Sequence, residues 1–159
     1  MKGMNHQVYL RHAIRLATDH SSDGHHGPFG AVVVRDGDVL GEGWNRVVKD
    51  SDPTAHAEVM AIRDACHRLG THELSGATIY SSCEPCPMCL SAIYWARIER
   101  VVYAASAEDA AAAGFDDSRI LEELGLGWVE RSVEGTQALR EEGRRVLEGW
   151  VENPRRVQY

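Results

Sequence analysis

The sequence predicts an α/β fold of three layers (α/β/α), in which a mixed sheet of about five strands carries helices on both faces. Short runs rich in valine and isoleucine alternate with longer segments of helical period. Two of these runs flank an Asp-Gly pair at 36–37, which indicates an antiparallel hairpin. Two later runs, near residues 78 and 100, are separated by a helical segment, which indicates a parallel pair with a right-handed crossover.

The individual elements follow from hydrophobic period and from chain-breaking residues. Apolar residues that recur every three or four positions predict helices, and short runs rich in β-branched and aromatic residues predict strands. In chain order we predict a helix over 5–20, strands over 29–34 and 39–44, a helix that Gly70 ends, a strand over 77–82 and a helix over 88–97. There follow a strand over 100–104, a loop over 106–118, a helix over 119–124, a strand over 127–131, a helix over 137–150 and a tail over 152–159.

Three glycines interrupt the predicted hairpin strands. Gly30, Gly41 and Gly43 stand where a β-branched residue would otherwise be favoured. A glycine inside a strand marks the close approach of another backbone or of a ligand. We therefore expect another part of the chain, or a ligand, to lie directly against the hairpin.

Length and composition indicate one globular domain over residues 1–159. The chain is 43% hydrophobic and 26% charged, with a formal net charge of −7. An acidic chain is a poor partner for polyanions, so we expect it to bind no nucleic acid. Apolar runs long enough to span a bilayer and an apolar leader are both absent from the sequence, so we also expect no membrane partner. Reduced thiols that bind a metal suit the cytoplasm.

Two short motifs carry the chemistry. His56 and Glu58 form an H-x-E pair, and Cys86 and Cys89 form a C-x-x-C pair that follows Pro85. An imidazole and two thiolates make three protein ligands for one tetrahedral Zn²⁺ ion per subunit. Three protein ligands leave the fourth position open for a water that zinc acidifies. Glu58 is then the catalytic carboxylate, which takes a proton from that water and passes it to a leaving group.

The spacing of these residues fits the starts of two helices. Cys86 and Cys89 are one helical turn apart, and Pro87 suits a first-turn position where its missing N–H costs nothing. Residues two apart on a regular helix diverge by about 200°. His56 and Glu58 can therefore share one centre only if the metal lies off the N-terminus of their helix.

A closed structural metal site is the alternative interpretation of the cysteines. Cys66 and Cys83 could join Cys86 and Cys89 as four sulfur ligands for zinc or for an iron–sulfur cluster. An H-x-E pair and a P-C-x-x-C sequence rarely occur together by chance. We therefore expect Cys66 to be a small core residue, and Cys83 to line the site without binding the metal.

Longer segments around these motifs resemble a known family. They are residues 27–32, 52–59, 82–90, 92–97 and 112–118. On them the chain resembles the zinc-dependent cytidine/deoxycytidylate deaminase superfamily and, within it, the bacterial guanine deaminases. Tyr94-Trp95-Ala96-Arg97 and Gly114-Phe115-Asp116-Asp117 indicate the guanine deaminases specifically. The resemblance implies a cytidine-deaminase-like fold and zinc-dependent hydrolysis of guanine to xanthine and ammonia, in purine catabolism or salvage.

The resemblance also implies roles for individual residues beside the three zinc ligands and the catalytic glutamate. Asn45 hydrogen-bonds the purine, and the backbone N–H of Ala57 meets its carbonyl oxygen. Phe29 and Trp95 stack on the base or enclose it. Asp117 contacts the guanine edge and is a second catalytic residue, which assists proton transfer to the departing amine.

Residues at the C-terminus are implied to act across a dimer. The resemblance implies a homodimer with domain swapping, in which residues 137–159 of one subunit close the partner's active site through Tyr159. This part of the chain matches the family least, so other substrates remain open: guanosine, another aminopurine, cytosine or an adenosine in tRNA. The acidic net charge counts against tRNA. A non-catalytic zinc-binding module is the alternative from a different class.

Without the resemblance, the same residues have structural interpretations. Phe29 opens a buried strand and suits the core, and Asn45 is a common turn residue. Asp117 suits a helix N-cap. Trp95 lies on an apolar helix face, and Tyr159 stands at a free terminus.

Overall fold

The computed structural model describes residues 5–159, which form two compact units divided between Asp117 and Ser118. The whole sheet belongs to the first unit. Over the described residues, the helices are α1 His6–Ser21, α2 Val47–Asp50, α3 Ala57–Leu69, α4 Pro87–Trp95, α5 Ala107–Ala112, α6 Ser118–Leu124 and α7 Arg140–Glu152. The strands are β1 Gly30–Arg35, β2 Asp38–Trp44, β3 Thr78–Cys83 and β4 Arg100–Ala105.

The strands form one mixed sheet in the order β2-β1-β3-β4. β1 pairs antiparallel with both β2 and β3, whereas β3 pairs parallel with β4. The predicted hairpin and the predicted parallel pair are both confirmed. Over residues 5–159 the sheet has four strands, one fewer than the sequence indicated.

The predicted fifth strand at 127–131 is wrong, because this segment forms turns. The guanidinium of Arg131 donates to the backbone carbonyls of Glu123, Leu124 and Leu126. The carbonyls of Glu123 and Leu124 belong to the last turn of α6, where a helix leaves its last acceptors without intrahelical donors, and that of Leu126 lies two residues beyond. The arginine satisfies them and folds the segment back on the helix, which prevents extended pairing.

Helices pack on both faces of the sheet, as predicted. Successive residues of a strand point to opposite faces, so β1 and β3 contribute to two separate cores. The core on the α1 face contains Val32, Val34 and Tyr80, with Tyr9, Leu10 and Leu16 packed against it. The core on the α3 face contains Ala31, Val33, Ile79, Ala57, Ala61, Ala65 and, from α4, Ile93.

Glycines allow helices to lie directly on the hairpin. A Cβ on Gly43 would lie 2.3 Å from the carbonyl oxygen of Ala57, and one on Gly41 would lie 2.4 Å from the backbone nitrogen of Ala65. Gly30 meets α1 on the other face at a similarly short distance. No side chain fits at such distances, so the expected close approach is confirmed. The approaching backbone on the α3 face is the helix that follows the H-x-E histidine.

Two segments are more helical than the sequence indicated. Residues 106–118, predicted as a loop, contain α5, which a capping box starts. The Ser106 hydroxyl accepts the N–H of Asp109 at 3.2 Å, and the Asp109 carboxylate accepts the N–H of Ser106 at 2.9 Å. The second such segment is α2, which follows the hairpin. By contrast, α7 begins three residues later than predicted, at Arg140 rather than at position 137.

The second unit, residues 118–159, carries α6 and α7. Arg144 bridges two carboxylates along α7, Glu141 at 2.8 Å and Glu148. Three apolar side chains of the same helix are mostly exposed, namely Val146, Leu147 and Val151. None of the helices within residues 5–159 has both the length and the apolar character that a membrane span requires.

Candidate metal centre and active site

The predicted zinc ligands lie at the starts of two helices of the first unit. His56 is the N-cap of α3 and Cys86 is the N-cap of α4, each with extended backbone. Pro87 is in the first turn of α4, as predicted, and Cys89 lies within the same turn. The partial positive charge of a helix N-terminus favours thiolates. Because His56 precedes its helix, the candidate metal lies off the helix end, as the spacing of His56 and Glu58 requires.

The three donor atoms are placed as a tetrahedral metal needs them. Nδ1 of His56 lies 3.5 Å from Sγ of Cys86 and 3.5 Å from Sγ of Cys89. A tetrahedral zinc about 2.3 Å from each sulfur and about 2.0 Å from nitrogen separates nitrogen and sulfur by about 3.5 Å. The residues therefore fit zinc in both donor type and separation.

The two thiols influence each other strongly. The hydrogen bond from the Cys89 thiol and the smaller effect of His56 together lower the pKa of Cys86 to about 4. The same hydrogen bond, together with burial, raises the pKa of Cys89. Cys86 is thus favoured as a thiolate, and its negative charge opposes loss of the proton from Cys89. A divalent cation between the sulfurs would replace the shared proton and stabilise both thiolates.

The other two cysteines lie outside this group. Within residues 5–159, His56, Cys86 and Cys89 form the only cluster of three potential ligands, with all donor atoms within 4.8 Å of one another. The Cys83 thiol donates to the carbonyl of Ser106 at 3.6 Å. Cys66 packs against the core on the α3 face. The structure thus provides three protein ligands rather than a closed site of four sulfurs.

Glu58 lies in the first turn of α3 and is only 6% exposed. The hydroxyl of Ser81 donates to its Oε1 at 2.8 Å. Burial raises the pKa of the Glu58 carboxyl above its ordinary value. A buried carboxyl with a raised pKa beside a candidate metal is suited to proton exchange. Sequence reasoning did not identify Ser81, although two adjacent serines in a buried strand were the available signal.

Asn45 is 8% exposed, just beyond the end of β2. Its Oδ1 accepts the N–H of Gly27 at 3.2 Å and the N–H of Val47 at 3.3 Å. Its own backbone N–H donates to the carbonyl of Phe29 at 3.0 Å. Because Oδ1 accepts from two backbone donors, the amide presents Nδ2 as a donor to a ligand. The turn interpretation and the binding interpretation of Asn45 are therefore compatible.

Phe29 is half-buried and meets Phe115 edge to face, with ring centroids 4.9 Å apart. Phe29 also packs against the core on the α3 face, so its structural interpretation holds as well. The contact brings the loop that ends at Asp117 to the start of β1. Asp117 itself is half-buried and immediately precedes α6. In the sequence, Phe115 stood out only as part of the segment Gly114-Phe115-Asp116-Asp117. Its ring contact with Phe29 was not predicted.

The remaining predicted site residues differ in how the structure places them. Ala57 is fully buried and is the first residue of α3, so its N–H has no acceptor within the helix. Trp95 ends α4 and is 65% exposed, so most of its ring lies outside the core. Tyr159 ends the second unit and is 67% exposed.

A family model agrees with this geometry. The model of the cytidine and deoxycytidylate deaminase zinc-binding region matches residues 4–105. His56, Glu58, Cys86 and Cys89 all lie within the matched range.

Individual relatives extend the comparison to the end of the chain. The chain is 47% identical to guanine deaminase of Bacillus subtilis (strain 168) over 156 residues, which covers 98% of this chain and 100% of the relative. The X-ray structure of guanine deaminase from Bacillus subtilis matches with a TM-score of 0.94, over 98% of this chain and 99% of that chain. A structure of guanine deaminase from Nitrosomonas europaea matches with a TM-score of 0.66 at 32% identity, over 70% of this chain and 64% of that chain.

A second activity occurs among the relatives. The tRNA-specific adenosine deaminase of Aquifex aeolicus (strain VF5) is 40% identical over 102 residues, which covers 64% of this chain and 67% of that protein. This match leaves about a third of the present chain uncovered, whereas the Bacillus subtilis guanine deaminase covers nearly all of it.

Proposed function

This chain belongs to the cytidine and deoxycytidylate deaminase family, and we propose that it is a zinc-dependent aminohydrolase that converts guanine and water to xanthine and ammonia. The observation that carries the proposal is the 47% identity to a guanine deaminase over 98% of the chain. That match includes the second unit, which the resemblance implicates in substrate choice. A role in purine catabolism or salvage follows from the reaction.

The chemistry is assigned to four residues. His56, Cys86 and Cys89 would hold Zn²⁺, which when bound lowers the pKa of a water enough to make it a nucleophile at neutral pH. Glu58 takes a proton as the water oxygen adds to C2 of guanine, and it delivers a proton to the amino group, which leaves as ammonia. Its burial and raised pKa support this role, because the carboxyl must hold a proton between the two transfers.

The base is recognised by groups around the metal centre. Nδ2 of Asn45 donates to an acceptor on the purine, and the N–H of Ala57 donates to the carbonyl oxygen at C6. Phe29 supplies an aromatic face for the flat base, with Trp95 beside it. Asp117 accepts from the N–H edge of guanine and assists proton transfer to the departing amine. The fixed amide of Asn45 and the ring contact of Phe29 support this arrangement.

This set of partners favours guanine over adenine. Guanine offers a carbonyl oxygen at C6 and an N–H at N1, whereas adenine offers neither. Adenine would leave the N–H of Ala57 and the carboxylate of Asp117 without partners. Unpaired polar groups in a site oppose binding more than small differences in shape do.

We also propose that the protein is a cytoplasmic homodimer with a swapped C-terminus, in which residues 1–159 make one deaminase domain and residues 137–159 close the partner's site through Tyr159. The exposed apolar side chains of α7, among them Val146 and Leu147, support packing against another surface. Reduced thiolate ligands support a cytoplasmic location.

The proposed function is tested by ammonia release from the zinc-loaded protein. Guanine, guanosine, adenine, cytosine and cytidine are offered in parallel, with Glu58→Ala as the control. We expect turnover of guanine alone, lost in the control. Turnover of a different base would keep the zinc chemistry and contradict the substrate. Turnover of guanine that survives in Glu58→Ala would contradict the proposed role of the carboxylate.

A further inference from the structure

The Glu58 carboxyl accepts a hydrogen bond from a hydroxyl inside the sheet. Ser81 is fully buried on β3, where it pairs with Ala31 of β1 and Tyr103 of β4. Its side chain points to the α3 face, on the same side as Ile79. The hydroxyl therefore lies in a largely aliphatic core.

Such a position favours a small apolar residue unless the hydroxyl has a partner. A buried hydroxyl without a hydrogen bond opposes folding, and alanine would fill nearly the same volume. The partner here is Oε1 of Glu58, 2.8 Å from the Ser81 oxygen, and both side chains are buried. The contact joins the middle layer of the fold to the first turn of α3, 23 residues away in sequence.

We propose that Ser81 is a positioning residue, which by donating to Oε1 fixes the rotation of the Glu58 carboxyl and leaves Oε2 as the oxygen that exchanges protons. The inference rests on the proposed role of Glu58. The terminal torsion of glutamate is broad and roughly two-fold, so an unrestrained carboxyl interchanges its two oxygens. A hydrogen bond from a rigid strand makes the oxygens different and holds one of them towards the reacting atoms. Misplacing a catalytic group by about 1 Å can cost about 100-fold in rate.

The first test compares turnover by Ser81→Ala, Ser81→Thr and Ile79→Val. Threonine retains a hydroxyl on a strand that tolerates β-branched residues. Ile79→Val is the matched control, because it also removes one heavy atom from a buried side chain on the same face of β3. For Ser81→Ala we expect kcat to fall about 10- to 100-fold with KM changed less than about twofold. Threonine should restore most of kcat, the Ile79 variant should retain it, and bound zinc should stay at one ion per subunit in all three.

A second test needs no turnover. Urea unfolding of Ser81→Ala, Glu58→Ala and the double variant forms a thermodynamic cycle that isolates the coupling between the two side chains, because each single substitution removes the hydrogen bond between them. We expect the two substitutions to be non-additive. In the Glu58→Ala background, Ser81→Ala should cause no further loss of the residual rate, because a positioning residue acts through the group that it positions.

Three outcomes would overturn the inference. They are a Ser81→Ala variant with the kcat of the unmodified protein, a threonine variant as slow as the alanine variant, and additive unfolding energies. If guanine is not the substrate, the same series is measured on the amino-heterocycle that the unmodified protein deaminates. Failure of the proposed substrate is thereby separated from failure of the positioning role.

Discussion

The backbone of Gly27 lies directly against the side-chain amide of Asn45 and leaves no room for a side chain between them. The N–H of Gly27 donates to Oδ1 of Asn45 at 3.2 Å, and a Cβ on Gly27 would lie 2.9 Å from Cγ of Asn45. The glycine therefore donates a hydrogen bond to the amide and, because it has no side chain, leaves room for it. The orientation of the proposed purine-binding amide thus depends on a residue outside the proposed base-binding set.

Gly27→Ala should weaken guanine binding by displacing that amide. One lost hydrogen bond is worth about 1 kcal/mol, so we expect KM to rise about fivefold with kcat little changed. Steady-state kinetics of Gly27→Ala, Asn45→Ala and the double variant measure the effect. The double variant should be no worse than Asn45→Ala. Independent, additive losses would show that Gly27 acts by some other route.

Glu58→Gln should abolish most turnover while leaving the fold and the metal in place. The amide keeps the shape of the side chain but cannot carry the proton, so we expect kcat to fall about 10²- to 10⁴-fold. Burial raises the pKa of this carboxyl, which means that the folded state disfavours its charged form. The neutral amide should therefore leave the free energy of unfolding at neutral pH equal to or above that of the unmodified protein. Kinetics, metal analysis and urea unfolding check the three expectations.

Two of the four cysteines should be needed for zinc and two should not. Cys86→Ser and Cys89→Ser remove ligands, so we expect both to lose most of the bound zinc and all turnover. Cys66→Ser and Cys83→Ser are the matched controls, because their thiols face the core and the Ser106 carbonyl. These should retain one ion per subunit by elemental analysis. Loss of zinc from Cys83→Ser would argue for a fourth protein ligand.

Gly43→Ala should destabilise the first unit strongly. The added methyl would lie 2.3 Å from the carbonyl oxygen of Ala57 and from the nitrogen of Ala61, both backbone atoms of α3. Overpacking of this kind costs about 3 kcal/mol, measurable as a lower urea midpoint. Gly143→Ala is the control, because nothing lies within 4 Å of its added Cβ and alanine favours the helix. The control should unfold at the same or a slightly higher urea concentration.

The proposed exchange of C-termini can be tested by mixing two variants that are each impaired in a different way. One carries Glu58→Ala with its tail intact, and the other retains Glu58 but lacks residues 153–159. If the tail of one subunit closes the partner's site, unfolding and refolding equal amounts of the two together should restore about a quarter of the turnover of the unmodified protein at the same total concentration. Random pairing makes about half of the dimers mixed, and each mixed dimer has one complete site. The tailless variant alone should show a raised KM. Full activity of that variant alone would exclude a role for Tyr159.

The sequence predicted the part of the fold in which local pattern and tertiary packing agree. The Asp-Gly turn at 36–37 specified the β1–β2 hairpin, and Gly41 and Gly43 indicated the close backbone that proved to be α3. The strand prediction for residues 127–131 was wrong. Their apolar character suits a strand, but the hydrogen bonds of Arg131 hold them against the end of α6. A side chain that reaches back to backbone carbonyls leaves no trace in hydrophobic period.

The site was predictable where chemistry restricts the residue type. Only a few side chains bind zinc, so His56, Cys86 and Cys89 were recognisable from identity and spacing alone. Ser81 was not recognisable, because its role depends on a strand pairing that brings it to Glu58 from 23 residues away. Asn45 was assigned through resemblance, and the structure adds that two backbone donors orient its amide.

The boundary between the two units after Asp117 bears on how substrate range could diversify. The proposed metal ligands, the proposed proton carrier Glu58 and the proposed stacking residue Phe29 all precede it. Of the proposed site residues, only Tyr159 follows it. A recombination library that keeps residues 1–117 and exchanges residues 118–159 among homologues would vary the segment that is proposed to close the site, while it keeps the proposed catalytic residues. Directed evolution towards new aminated heterocycles has its natural crossover point there.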